Sequence, residues 1–504
     1  MKVIAFDLGT GGVKASLYDE ALDTLGKVFI EYETLFPGPS FHEQRPKDWW
    51  QGVVRCCRSL LEETAVRKEE IGCVALSGHS LVNVPVDKNG NCLLDAVPIW
   101  SDTRALNEAD EFFQKVNKDE WYMTTGNGFP SACYSIFKLM WMKKHEPDVF
   151  RKTYKVLGSK DYINFKLTGK MATDFSYISG CGAYALKQKK LKEEYLETAG
   201  LPGDIFPDIV TSHTIIGYVT REAAQLTGLK EGTAVACGGV DNACMALGAA
   251  GAEEGKSYIS LGTSSWIPVN SHEPILDKEK KPYVFAHLEE DMFTSAFSIF
   301  SGGNSFRWIR DAIGNETEGI KETYDELCRQ AENSPPGAKG VIFNPSLAGG
   351  TSQDKSVNIQ GAFLNLNLAV TRQDLIRSAL EGITMNLKCS YDFMKEKVVM
   401  DEELLICGGG SKSPFWMQLF ADVFDVTVIK SSIDQDAASL GAAAAAARSL
   451  GIIKDYSFIK HLHRIEKSYI PNAEHVRIYE KQLEIFKHAS KVLADFGDYM
   501  HNAL

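Results

Sequence analysis

The chain has 11 cysteines but no C-x-x-C pair and no His-rich stretch to partner them. It has no G-x-x-x-x-G-K-[ST] loop, no G-x-G-x-x-G after its first apolar run, and no low-complexity linker. Each absence excludes something. Cysteines scattered without metal-ligand spacing read as reduced thiols of a cytosolic protein, not as zinc ligands or disulfides. The common P-loop is ruled out, and a dinucleotide fold is disfavoured. No apolar run approaches the ~20 residues that a membrane-spanning helix needs. Met1-Lys2 leads straight into an apolar strand, so no leader is expected. Positive charge is also short, with 54 Lys and Arg against 66 Asp and Glu, a formal net charge of −12. That balance opposes nonspecific binding to nucleic acid or to an anionic membrane. Any phosphate site must therefore supply its own local positive field or hold a metal. The expected compartment is the cytoplasm and the expected partners are small molecules.

At 504 residues the chain exceeds one ordinary core, so two large domains are expected; 44% apolar and 24% charged residues are those of a soluble globular protein. The organising stretch is VIAFDLGTGGVKASLYD at 3–19. An apolar strand ends on a lone acid, Asp7, a Gly-rich turn follows, and a second strand starts near Lys14. An acid at a strand end suits a hydrated Mg²⁺, and Thr10 and Lys14 can meet phosphate oxygens. Taken alone this is equally an ordinary hairpin. KSYISLGTSSW at 256–266 repeats the scheme in the second half, and such internal repetition points to two similar units closing on a nucleotide. The polar break AEEG at 252–255 places the division between an N-terminal domain, 1–251, and a C-terminal domain, 252–504.

Further elements follow from periodicity. Pro46 and the apolar spacing of Trp49, Val53, Cys57 and Leu60 predict a helix; residues 71–77 predict a short strand. An amphipathic helix is expected over 371–388, an Ala-rich one over 435–450, and a charged surface or docking helix from 474 onward. Gly-rich corners recur after apolar strands at Gly9–Gly12, at Gly262-Thr263 and at Gly408–Gly410. Bare backbone amides at such corners suit phosphate or ribose. Asp241, after a Gly-Gly strand end and at the start of a helix, is the candidate reactive carboxylate, although Asp at a helix start is equally an ordinary cap. Phosphoryl transfer needs such a carboxylate to accept the nucleophile's proton.

These residues also carry a resemblance. DLGTGGVK at 7–14, WSDTRA at 100–105, KLMWMK at 138–143, GGVDNA at 238–243, SLGTSS at 260–265 and CGGGSKSP at 407–414 resemble the FGGY family of carbohydrate kinases, in its xylulokinase-like branch. Residues 361–382 resemble its second signature, and the match runs in order along nearly the whole chain. The resemblance implies an α/β fold of two actin-like, ribonuclease-H-like domains with ATP and Mg²⁺ in a central cleft. It implies Asp241 as catalytic base, Asp7 and Asp241 on the metal, and Thr10, Lys14, Gly262, Thr263, Gly303, Gly409 and Ser413 around the nucleotide. Trp100 and Asn242 fall at sugar-contacting positions, and a homodimer is the family-level expectation.

One loop departs from the pattern. Where xylulokinases read G-Q-M-H, this chain has Gly78-His79-Ser80-Leu81, so Leu81 replaces the sugar-binding histidine. Glycerol kinases carry an Arg-Glu pair where Ser80 and Leu81 stand, which argues against glycerol. His79, two places away, is either a substitute ligand or a core histidine. Asp102 either meets sugar hydroxyls, as Ser80 is expected to, or forms a structural ion pair with Arg104. The expected reaction is ATP-dependent phosphorylation of a terminal sugar hydroxyl, with a ketopentose such as xylulose foremost. Another ketose or polyol, or a non-kinase actin-like ATPase, is the alternative.

Overall fold

The computed structural model describes residues 1–317, 320–434 and 436–503. Val3–Phe6 are buried on both faces, as a near-continuous apolar strand in the middle of a sheet must be. Strand Lys2–Leu8 pairs antiparallel with Gly12–Tyr18 and parallel with Ile71–Gly78. The sheet continues outward through Thr24–Glu31 on one side and through Ala234–Ala236 and Ile215–Tyr218 on the other. A second sheet repeats this plan. Tyr258–Leu261 pairs antiparallel with Ser265–Ser271 and parallel with Glu403–Cys407, and Thr427–Ser431 and an antiparallel Ile465–Tyr469 follow. Its far side carries Phe293–Ile299 and then an extra edge strand, Tyr283–Ala286. The LGT echo is thus the same hairpin in the same place in two sheets.

Helix Pro46–Thr64 starts on its proline and lays Trp49, Val53, Cys57 and Leu60 on the first sheet. Two other helices join the halves. Asp241–Ala250 sets Ala246 and Ala249 against Tyr258 and Leu405 of the second sheet. Ala437–Ser449 crosses the opposite way, its alanines packing on Val3, Ala5, Cys73 and Ala75 of the first. This is the Ala-rich helix expected over 435–450, Gln435 lying outside the described residues.

The two helices meet backbone to backbone, which only glycine allows. A Cβ at Gly248 would lie 1.9 Å from the Ala437 carbonyl oxygen, and one at Gly441 would lie 2.0 Å from that of Cys244. Gly441→Ala is therefore expected to cost about 1–3 kcal/mol by overpacking, seen as a lower midpoint in urea denaturation; an unchanged midpoint would show that the helices can separate freely. The amphipathic helix runs over Arg372–Lys395, longer than expected, and Ala473–Ala503 closes the chain. Among the described residues no helix is long and apolar enough to cross a membrane.

Candidate active site

The hairpin register sets Asp7 opposite Lys14 and beside Ser77 of the parallel neighbour. Ser77 Oγ donates to Asp7 Oδ1 at 2.8 Å. Burial pushes the Asp7 carboxyl above its ordinary range, against the pull of Lys14 and of the Ser77 hydroxyl. Lys14 Nζ also lies 3.2 Å from Asp436 Oδ1 at the start of the Ala-rich helix, where Lys27 reaches the other oxygen. The turn between the strands is braced from behind. Tyr32 donates to the Gly9 carbonyl at 2.6 Å, Gln44 to the Thr10 carbonyl at 2.7 Å, and Trp100 Nε1 to Thr10 Oγ1 at 2.9 Å.

Asp241 opens its helix and accepts the Asn242 amide at 2.8 Å. Burial, and then the Asp7 charge, push its carboxyl up to about 7, with the Asn242 amide acting in the opposite sense. The two acids therefore share one site, each made harder to ionise by its surroundings.

The chain leading into Asp241 is held by a buried ionic cluster that sequence reasoning missed. Lys160 Nζ lies 2.6 Å from Asp161 and 3.0 Å from Asp174, all three side chains being buried. Lys160 also reaches the Cys237 carbonyl at 3.3 Å, which Asn164 meets at 2.8 Å. Asp174 Oδ2 accepts from Ser176 and Ser212, and the Ser176 oxygen accepts the Val240 amide at 3.0 Å. Gly238 has φ +71, and a Cβ there would lie 2.0 Å from the Leu76 carbonyl oxygen. The segment 237–240 thus has one path across the strand end.

Asp241 lines a cavity of about 530 Å³ between the two sheets. Thr10, Ser80, Leu81, Trp100 and Asn242 come to it from the first half; Ser260, Ser264, Trp266, Tyr283 and Phe300 come from the second. Phe129 bridges the halves, its ring 5.9 Å from Tyr283 and 5.8 Å from Phe300. The edge strand is fastened alongside, the Val284 amide donating to the Gly126 carbonyl at 2.7 Å. Lys138, buried and pushed down to about 8 by that burial, donates to the carbonyls of Leu81 and Ile99 and so ties together the two loops that carry Ser80 and Trp100.

Several expected site residues stand elsewhere. His79 turns away from the cavity: its ring packs edge-on to Trp49 at 5.2 Å, Nδ1 is 3.1 Å from the Leu8 carbonyl, and burial pushes it down to about 4. His79 is a core histidine, and Leu81, at φ +60, lines the cavity instead. Asp102 is wholly buried and occupied by Arg104, at 2.7 Å, and by the His42 amide. Ser413 is buried, and its hydroxyl accepts the Trp416 amide as the cap of helix Pro414–Phe424.

The Gly-rich turns lie open. No atom stands within 4 Å of a Cβ placed at Gly11 or Gly409, and Thr263 is exposed. Gly303 abuts the second turn, its amide donating to the Gly262 carbonyl at 2.8 Å, and Gly408 backs onto Leu261 just before that turn. The turns at 262–263 and 408–410 therefore form one shelf. The donor set also suits a hydrated divalent cation. Asp241 feels the charge of Asp7, Lys14 draws on the Asp7 carboxylate, and Mg²⁺ takes one or two carboxylates, waters and phosphate oxygens.

Two duplicated sheets, crossing helices and Gly-rich hairpins around a central cavity define an actin-like, ribonuclease-H-like α/β fold. Family models for the N-terminal and C-terminal domains of the FGGY carbohydrate kinases match residues 2–248 and 257–450. The chain belongs to the FGGY family of carbohydrate kinases and is a sugar kinase. It is 29% identical to a xylulose kinase of Bacillus subtilis over 486 residues, 96% of each chain. It is 28% identical to a gluconokinase of Bacillus licheniformis over 504 aligned residues, 97% of this chain and 96% of that one. Among solved structures, a xylulose kinase from Rhodospirillum rubrum superposes with a TM-score of 0.90 at 25% identity, covering 99% of this chain and 100% of that one. A gluconate kinase from Lactobacillus acidophilus superposes with a TM-score of 0.90 at 24% identity, covering 98% of each.

Proposed function

We propose that the chain moves the terminal phosphoryl group of ATP to the terminal hydroxyl of a neutral open-chain ketose, a ketopentose such as xylulose foremost. One observation carries the reading. Asp241, its carboxyl pushed up to about 7, stands on the cavity wall within the field of Asp7, with Thr10 of the first hairpin and Ser260 and Ser264 of the second on the same wall. In this reading Asp241 accepts the hydroxyl proton as that oxygen attacks, and Ser80, Trp100 and Asn242 orient the sugar. The amides around Thr10, Gly262, Thr263, Gly303 and Gly409 face the phosphates. Asp7, with Asp241, would hold Mg²⁺, which when bound supplies charge neutralisation on the phosphates. The sugar side belongs to the unit 1–251 and most of the nucleotide side to 252–504.

Gluconate kinases are also relatives, but among the described residues the cavity lining has no Lys, Arg or His to meet an aldonate carboxylate. A buried anion without a counter-charge is strongly disfavoured. ADP release measured across xylulose, other ketoses, polyols and gluconate tests the assignment. A neutral ketose should give the highest kcat/KM; gluconate ahead of every ketose, or ATP turnover indifferent to sugar, would overturn it.

The pH profile follows from the same carboxylate. Only the ionised base accepts a proton, so kcat/KM should fall about tenfold per pH unit below about pH 7, as the Asp241 carboxyl takes up its proton. A profile flat from pH 5 to 8 would remove Asp241 from the role.

A further inference from the structure

An Asp just ahead of a helix ordinarily caps it. Asp436 stands at the N-cap of helix Ala437–Ser449, yet its side chain makes no cap bond among the described residues. Its carboxylate reaches instead into the other unit: Oδ1 lies 3.2 Å from Lys14 Nζ, and Oδ2 meets Lys27. Burial works against the charge, but Lys27 and Lys14 together hold the Asp436 carboxyl below its ordinary range. The helix start is fixed on the same strand, for Ser439 Oγ donates to the Asp436 carbonyl at 2.9 Å and lies 3.0 Å from the Tyr18 hydroxyl. Two places earlier, Asp434 Oδ1 accepts the Gly408 amide. Gly408 has φ +95 and backs onto the Leu261 carbonyl, so Asp434 grips the shelf where its two turns meet.

Taking the cleft as a nucleotide site, we propose that Asp434 and Asp436 are positioning residues for it, which hold the hairpin of one unit and the shelf of the other at one spacing. Asp436 acts through Lys14. In the hairpin register Lys14 stands directly across from Asp7, and such cross-strand neighbours share a face of the sheet. The Lys14 ammonium therefore has two acids pulling on it, Asp7 and Asp436. Held by Asp436, it is kept from closing on Asp7, whose carboxylate stays available to Mg²⁺. Without Asp436, the like charge of Lys27 would push Lys14 the same way that Asp7 pulls it. Asp434 acts through the backbone, because a fixed Gly408 amide fixes the start of the turn at 408–410.

Calorimetric titration of the full chain with ADP and Mg²⁺ tests this without turnover, and urea midpoints check the fold. Asp436→Asn should weaken ADP binding about tenfold, and Asp436→Glu, which keeps the charge, should recover most of it. Lys14→Met should weaken binding at least as much, and adding Asp436→Asn to it should change nothing further. Asp434→Ala should weaken binding by the same factor with or without Lys14. Removing a negative charge by itself favours an anionic ligand, so weaker binding is the mark of lost positioning. A wild type that binds no ADP would overturn the nucleotide reading itself, and this proposal with it. With wild-type binding intact, ADP held as tightly or more tightly by Asp436→Asn would overturn the positioning role alone. So would an Asp436→Asn loss that persists undiminished in Lys14→Met, or an Asp434→Ala protein with unchanged affinity.

Discussion

Asp241→Asn is expected to lower kcat by about 10²–10⁴-fold, the usual contribution of a positioned general base, while ATP binds as before. The substitution keeps the shape of the side chain and an acceptor for the Asn242 amide, and removes the proton-accepting charge. It should also stabilise the unliganded protein. The carboxyl, ordinarily near 3.8, is pushed up to about 7 in the fold, so between those values the native state holds a proton that the unfolded chain has released. Stability from this group is then present at low pH and lost as pH rises through 7. Replacement by a neutral amide should raise the unfolding free energy by on the order of 1–2 kcal/mol at pH 8 and by little at pH 4, below the full linkage value because the side chain still reaches the cavity. Paired kinetic and denaturation series read both effects. A substitution that stays active, or that destabilises equally at both pH values, would contradict the assignment.

Lys160→Met should produce the largest loss of stability. It removes the cation that balances Asp161 and Asp174 in a fully buried cluster, and breaking such a cluster costs about 3–5 kcal/mol. Urea denaturation should show this, whereas Lys47→Met, which breaks an exposed pair with Asp95, should cost less than about 1 kcal/mol. Activity should fall too, because the Asp174–Ser176 link to the Val240 amide is part of what fixes Asp241. Normal stability in Lys160→Met would mean that the Lys160 cation does not hold this cluster together.

The duplicated hairpin was legible because its information is local: an apolar strand, a Gly turn and a second strand, written twice. Asp7 and Asp241 were legible for the same reason, each an acid at the end of a Gly-flanked strand. The direction of a side chain at a strand end was not. His79 and Ser80 are neighbours at the bend that follows strand Ile71–Gly78, and there His79 enters the Trp49 packing while Ser80 and Leu81 meet the cavity. Ser413 and Asp102 have the residue types of a binding site, yet a helix cap and an ion pair use those same oxygens. The Lys160 cluster joins residues 160, 174, 176, 212 and 237, which share no period and no motif. Nor does the sequence reveal that Ala437–Ser449 lies on the sheet of the other half, because an alanine face carries no mark of which surface it covers.

The most direct measurement is a crystal structure of the chain with xylulose, Mg²⁺ and a non-hydrolysable ATP analogue. The account predicts the nucleotide on the shelf at 262–263 and 408–410, Asp7 on the metal side, and the terminal sugar hydroxyl about 3 Å from the Asp241 carboxylate. A sugar whose hydroxyl sits beyond reach of Asp241, or a nucleotide bound outside the cleft, would contradict it.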